Sequence, residues 1–411
     1  MIIFKIKKYL CDYCLFLCSD WSVPDLSIVY ASFDRFPSSK GAATHIRAFC
    51  RALANEFGCV NLLTLKGVND LKVNIPEGVD HVQISALGPN IITRAMAFRS
   101  EMHHWWGNRR FNIAHVRSIF EGYPIAKHKK DLCDFFVYEV NGLPSIELKY
   151  HYPDVYDDEI LINKLRKQED ACLNAADLII TVSDINAQYL LSRGAEKEKI
   201  KVIPNGVDLS IFNWKEPLPP RRDTMKILYS GTMTRWQGVH YALEALALYL
   251  RDFKAELLLV GPCRNQQRKA LNRTIDRLKI AKYVSFIEPL NQIQLVSLMH
   301  ECDVTLAPLL PNDRNLEQGC CPLKVIEAMG AGIPVIASDL PVVSCLAENN
   351  IEALLVKPGS AKAIKDGLLK LRDDFGLRNR LSVAARRKVE REFRWDISTK
   401  KLINSYREML S

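Results

Sequence analysis

The chain has 411 residues, 48% hydrophobic, 25% charged and 9% aromatic. This is ordinary globular usage, which excludes collagen-like, disordered and coiled-coil architectures and predicts two or three domains. Lys and Arg number 56 against 47 Asp and Glu, a net charge of +9. That excess permits an anionic partner, such as a phosphorylated ligand or an acidic membrane surface, and does not point to nucleic acid. The 12 cysteines follow no regular spacing and predict reduced thiols in a cytoplasmic protein.

Residues 1–26 stand apart. MIIFKIKKYLCDYCLFLC (1–18) is apolar but interrupted by Lys5, Lys7, Lys8 and Asp12, so it suits neither a spanning helix nor a signal peptide. Two readings stay open: a leader or helix packed on the body, and a basic, aromatic-rich helix lying on an anionic membrane surface. Cys11, Cys14 and Cys18 share one helical stripe with no fourth ligand at zinc spacing.

From Ser27 short apolar runs alternate with helical segments. SIVYASF (27–33) precedes a helix over 44–57 whose Ile46, Phe49, Leu53 and Phe57 share a face. Strand-like runs follow at 60–65, 113–118, 135–142, 177–183 and 200–206. The stretch 205–225 has several prolines and no periodicity and reads as a linker. The alternation restarts with strands at 226–233, 256–262, 283–290, 303–309, 334–340 and 352–359, and helices at 239–251, 265–278 and 291–301. Continuous apolar runs between helices indicate parallel strands buried on both faces. The predicted class is α/β, with two doubly wound domains at 27–204 and 226–390 facing a cleft. A C-terminal amphipathic helix lies within 391–411.

No GxGxxG follows the first strand, and no P-loop, HExxH or GxSxG occurs. Chemistry is sought instead at strand ends. In SSKGAATHI (38–46) Gly41 lets an anion approach the start of a helix, although an ordinary turn explains the loop equally well. In CCPLKVIEAMGAGIPVIASD (320–339) Pro322 suits a first helical turn. Lys324 then adds charge at the positive end of the dipole, and Glu327 follows one turn on. A diphosphate at the helix start and a ribose diol at the carboxylate fit this pattern; so does a solvated helix start.

Together with AHVRS (114–118), VIPNGVD (202–208), ILYSGTM (227–233) and CDVTLAPL (302–309), these segments resemble the group 1 glycosyltransferases. Those are retaining, nucleotide-sugar-dependent enzymes of the GT-B fold, and the resemblance runs from about Ser27 to the C-terminus. It implies two Rossmann-like domains, the first holding the acceptor and the second the nucleotide-sugar, with the last helix crossing back to the first. It further implies sugar transfer from a nucleotide-diphosphate sugar to a hydroxyl of a glycan or lipid-linked acceptor, with anomeric retention and neither cofactor nor metal. Gly41, Gly231, Arg235, Gln237, Lys324 and Glu327 would line the donor side, and Phe286 to Leu290 the base. NGLPSIE (141–147) follows a strand and would turn Asn141 and Glu147 toward the acceptor, and it reads equally as a loop with a helix cap at Ser145. His115, Arg117 and Glu121 would be the catalytic candidates, with Glu139 a further acidic one; His115 reads equally as a core histidine.

The departures are specific. Eight positions before Glu327, where the family carries a first glutamate, stands Gly319. The phosphate turn has Thr232 and Gln237 in place of its usual Arg and Lys, leaving Arg235 and Lys324 as replacements. Arg117 stands where the second His of a strand-end pair is usual. Two rivals are therefore carried: a nucleotide-sugar epimerase of the same fold, and a non-catalytic nucleotide-sugar or glycan binder.

Overall fold

The computed structural model describes residues 26–38, 41–67, 75–152, 155–217, 219 and 224–411. The leader and its three cysteines lie outside the described residues, apart from Leu26.

Strands β1 (Ile28–Phe36), β2 (Val60–Lys66), β3 (Val79–Ile84), β4 (Phe111–Val116), β5 (Cys133–Val140), β6 (Leu178–Thr181) and β7 (Ile200–Val202) form the first sheet, in the order β3-β2-β1-β4-β5-β6-β7. β8 (Met225–Ser230), β9 (Ala255–Val260), β10 (Val284–Ile287), β11 (Val304–Ala307), β12 (Val335–Ser338) and β13 (Leu354–Val356) form the second, in the order β10-β9-β8-β11-β12-β13. The strand pairings are parallel. Ile28, Val29, Tyr30 and Ala31 are all fully buried, because helices cover both faces and consecutive side chains point to opposite ones. The apolar runs revealed the other strands but not β3. That edge strand exposes Asp80 and Gln83 and carries no continuous apolar run.

Each sheet reverses its strand order once, between β1 and β4 and between β8 and β11. The crevice beyond the carboxyl ends of the strands at such a point is where open α/β sheets bind ligands. Here the two crevices open onto one cavity.

The helix Gly41–Phe57 buries Ile46, Phe49, Leu53 and Phe57, the face its periodicity predicts. Against it packs the final helix, Trp395–Leu410, which brings Trp395 onto Phe49 and His45 and Tyr406 onto Phe57. The C-terminus thus completes the core of the first domain. The chain passes between domains twice, after β7 and before Trp395. The two passages are joined by a parallel bridge between Val207 and Arg394 and by the Val207 amide donating to the Phe393 carbonyl at 2.8 Å. The connection after β7, read from its composition as a linker, is anchored where it is described. Phe212 is fully buried, and the Trp214 indole donates to Ser382 Oγ at 2.9 Å. Among the described residues no helix is long and apolar enough to cross a membrane.

Candidate active site

The cavity between the domains has a volume of about 650 Å³ and takes its wall from both carboxyl-terminal sheet edges. On the second domain the wall is built by the helix Leu323–Ala331 and the loop after β8. Pro322 precedes the helix, which leaves its first amides without intrahelical acceptors. Lys324 and Glu327 both line the cavity from this helix. Lys324 Nζ donates to Gln237 Oε1 at 2.7 Å and lies 4.0 Å from the centre of the Tyr229 ring. Burial pushes the Lys324 ammonium down to about 7, against the pull of Glu327 and with Arg314 adding to the fall. Burial likewise pushes the Glu327 carboxyl up to about 7, with Lys324 opposing. Gly231 has φ 132°, a backbone conformation that favours glycine, and a Cβ there would stand 3.0 Å from Lys324 Nζ. Gly41 faces the same helix start: a Cβ there would lie 2.4 Å from Leu323 Cδ1. A side chain there would displace the Leu323 tip, so the two domains come close at this point.

On the first domain the centre is Glu139, fully buried at the end of β5. Its Oε1 accepts from Arg117 Nε at 2.8 Å and from the Asn141 amide. Its Oε2 accepts from Tyr30 Oη at 2.7 Å and pairs with His115 Nε2 at 3.0 Å; His45 Nε2 lies 3.0 Å from Oε1. Burial by itself raises the Glu139 carboxyl, but His45, Arg117 and the His115 hydrogen bond outweigh it and hold it well below the usual carboxylate range. Arg117 also reaches Asp34 at 2.9 Å. From His45 the network continues to Asn205 Oδ1 at 2.8 Å, and Asn205 Nδ2 donates to the Cys321 carbonyl at 2.9 Å. One chain of hydrogen bonds thus runs from the acceptor-side strand ends to the start of the Lys324 helix.

Several residues singled out in the sequence line this cavity: Gly41, Arg117, Glu121, Asn141, Glu147, Gly231, Gln237, Lys324 and Glu327. Others require correction. His115 is fully buried behind the wall, between Glu139 and Tyr406 Oη (2.5 Å from Nδ1); burial lowers its pKa against Glu139, and it orients Glu139 rather than meeting substrate. Glu121 touches the cavity rim but is itself buried. Its carboxylate accepts from the amides of Arg117 and Ser118 and from Ser118 Oγ, so it caps the helix Ile119–Lys127 instead of standing free for catalysis. Arg235 is exposed and off the wall. The 3₁₀ turn Arg235–Gln237 separates successive side chains by about 120°, so Trp236 and Gln237 turn inward and Arg235 outward. Phe286 stacks under Arg268 at 3.6 Å, and only Pro289 and Leu290 of the 286–290 stretch reach the cavity.

Gly319 has a structural reason. It closes the π turn Arg314–Gln318 with φ 81°, and a Cβ would stand 2.7 Å from the Asn186 amide and 2.9 Å from Ser183 Oγ. No glutamate fits there. Residues that the sequence did not flag fill the region: Arg314 pairs with Glu147 at 2.8 Å and stacks on Trp236 at 3.9 Å. Their segment, PNDRNLEQG (311–319), is polar and aperiodic, and nothing local marks Arg314.

Comparison with known proteins agrees with this geometry. The model for Glycosyltransferase Family 4 matches residues 39–211 and that for Glycosyl transferases group 1 matches residues 210–388. An uncharacterized glycosyltransferase of Methanocaldococcus jannaschii is 25% identical over 388 residues, 89% of this chain and 94% of that protein. The putative colanic acid biosynthesis glycosyltransferase WcaL of Escherichia coli is 25% identical over 259 residues, and the match spans 62% of each chain. Among solved structures, sucrose-phosphate synthase from Thermosynechococcus elongatus superimposes with a TM-score of 0.75 at 20% identity, covering 93% of this chain and 99% of that one. Anabaena HepE in complex with UDP-glucose gives 0.69 at 16%, covering 93% and 100%. Two family models meeting at the passage between the domains, on two parallel sheets that share one cleft, establish that the chain belongs to the group 1 glycosyltransferases of the GT-B fold.

Proposed function

We propose that the protein transfers a hexosyl group from a nucleoside-diphosphate sugar to a hydroxyl of a glycan or glycolipid, with retention at the anomeric carbon. The bond from that carbon to the diphosphate oxygen breaks, a bond to the acceptor oxygen forms, and the acceptor proton leaves to the diphosphate or to solvent. The observation that carries this reading is the pairing of Lys324 and Glu327, one turn apart on a helix whose start faces the Gly231 turn inside the cleft. Helix amides and Lys324 would meet the charge growing on the departing diphosphate, protein cations rather than a metal ion serving that role. Glu327 would accept the ribose hydroxyls. The solved complexes of HepE with UDP and UDP-glucose make uridine donors the first to try.

The test is a panel of UDP-, GDP- and ADP-sugars, assayed with and without glycan and glycolipid acceptors, with the product's anomeric configuration read by NMR. Transfer with retention is expected. Conversion of the donor sugar without any acceptor would instead identify an epimerase, and tight donor binding without turnover a binding protein. Glu327→Ala should raise the donor Kd about tenfold, roughly 1.4 kcal/mol. Unchanged calorimetric affinity in the folded variant would remove Glu327 from the donor site.

A further inference from the structure

We propose that Arg314 is the second cation of the donor diphosphate site and that Glu147, across the cleft, is its positioning residue. This rests on the donor reading above. Few cations stand on that side of the cavity: beside Lys324 and Arg314 it is lined by Arg264, which donates to the His151 carbonyl at 3.2 Å and lies over the Tyr152 ring. Thr232 and Gln237 are neutral, Arg235 turns outward, and Lys324 is already hydrogen-bonded to Gln237. Departure of the sugar nevertheless adds negative charge to the diphosphate.

Arg314 is placed to answer it. It lines the cavity from the turn that follows β11, on the same sheet edge as the Lys324 helix, and its side chain is 14% exposed. Its guanidinium lies on Trp236, the neighbour in sequence of the Gln237 that holds Lys324. One short turn therefore presents both cations to the same space. Nε donates to Glu147 Oε1 at 2.8 Å and Nη1 to Asn315 Oδ1 at 3.2 Å. A guanidinium has more donors than these bonds use, in a planar fork that suits phosphate oxygens. Two further groups of the wall are free to meet a ligand: Trp236 Nε1 and Ser230 Oγ are buried and have no hydrogen-bond partner among the described residues.

A mere tether between domains is the competing explanation. That task is already served beside it, where Lys149 pairs with Asp313 at 2.5 Å, Tyr150 bonds the same carboxylate, and Gln318 Oε1 accepts from the Leu143 amide at 3.0 Å. Glu147 Oε1 meanwhile receives both Arg314 and Gln318 Nε2 (3.0 Å), which fixes the guanidinium plane from the opposite domain.

The experiment is calorimetric titration of the full chain with UDP, GDP and ADP, each against its monophosphate. Wild type should prefer one diphosphate. Arg314→Gln should cut that diphosphate's affinity about tenfold and change the monophosphate's by less than about threefold. Arg314→Lys, which keeps charge but not the fork, should lose less, and it carries the test if the glutamine variant fails to fold. Glu147→Ala should weaken diphosphate binding, and Glu147→Gln, which keeps the acceptor oxygen, should restore part of it. Lys149→Met should leave the contrast between diphosphate and monophosphate intact. Arg314 variants that preserve this contrast, or that behave like Lys149→Met, would overturn the proposal while the donor reading stands. Wild type binding none of the three diphosphates would overturn both.

Discussion

At the scale of single residues, the donor side of the cleft is a problem of proton occupancy. Burial and neighbouring Arg314 bring Lys324 to about 7 despite the opposing pull of Glu327. A large share of the amines is then neutral at pH 8, whereas a bound diphosphate stabilises the ammonium. The sign follows: binding takes up protons above pH 7, and affinity falls as the pH rises from there toward the raised pKa of the complex. Calorimetry of UDP binding at pH 8, in two buffers of different ionisation enthalpy, should show uptake of a substantial fraction of a proton. Lys324→Met should abolish it. No uptake in wild type, or equal uptake in the variant, would remove Lys324 from contact with the diphosphate. In catalysis the same residue should contribute more to kcat than to KM, because charge on the leaving group grows toward the transition state.

At the scale of elements, the π turn Arg314–Gln318 governs which side chains the site can hold. Restoring the family's absent carboxylate by Gly319→Glu should fail. A positive φ and a Cβ within 2.7 Å of the Asn186 amide together predict a loss of about 2 kcal/mol or more, measured by denaturant unfolding, with no gain in turnover. A stable, faster variant would show that the turn adapts. The sequence made the regular elements legible because their physics is local: buried parallel strands leave apolar runs, and the helix Gly41–Phe57 repeats its apolar face every three or four residues. The Lys324–Glu327 pair was readable for the same reason, since helical spacing sets the face they share. Arg314 was not, nor were the pairings that Glu147 and Glu139 make, because the partners lie far apart in the chain: Arg314 and Glu147 are separated by 167 positions, and His115 and Tyr406 by 291. His115, on β4, and Glu121, in the first turn of the helix that follows, looked catalytic because a polar residue near a strand end has the same sequence signature whether it faces substrate or supports the group that does.

At the scale of the whole molecule, Leu26 is tied to the first domain. Its amide donates to the Phe57 carbonyl at 3.2 Å, and its side chain packs against the core that also holds Trp395 and Tyr406. Residues 1–25 precede the first strand, Ile28–Phe36, and deleting them should leave a folded protein that binds donor as wild type does. If the basic, apolar leader serves a lipid-linked acceptor, the deletion should weaken sedimentation onto anionic vesicles, each lost lysine accounting for about 1 kcal/mol near such a surface. Vesicle binding that is absent or unchanged would detach the leader from any membrane role, and loss of folding would make it part of the body. The two interdomain passages, laced together at Val207 and Arg394, have a mechanical consequence. Two chain segments fastened to each other form a pivot, so rotation of one sheet against the other leaves that point still and grows with distance from it. A pair of spin labels set beside the pivot would keep its spacing through a full opening of the cleft. A pair bridging the far lips would feel the whole lever arm.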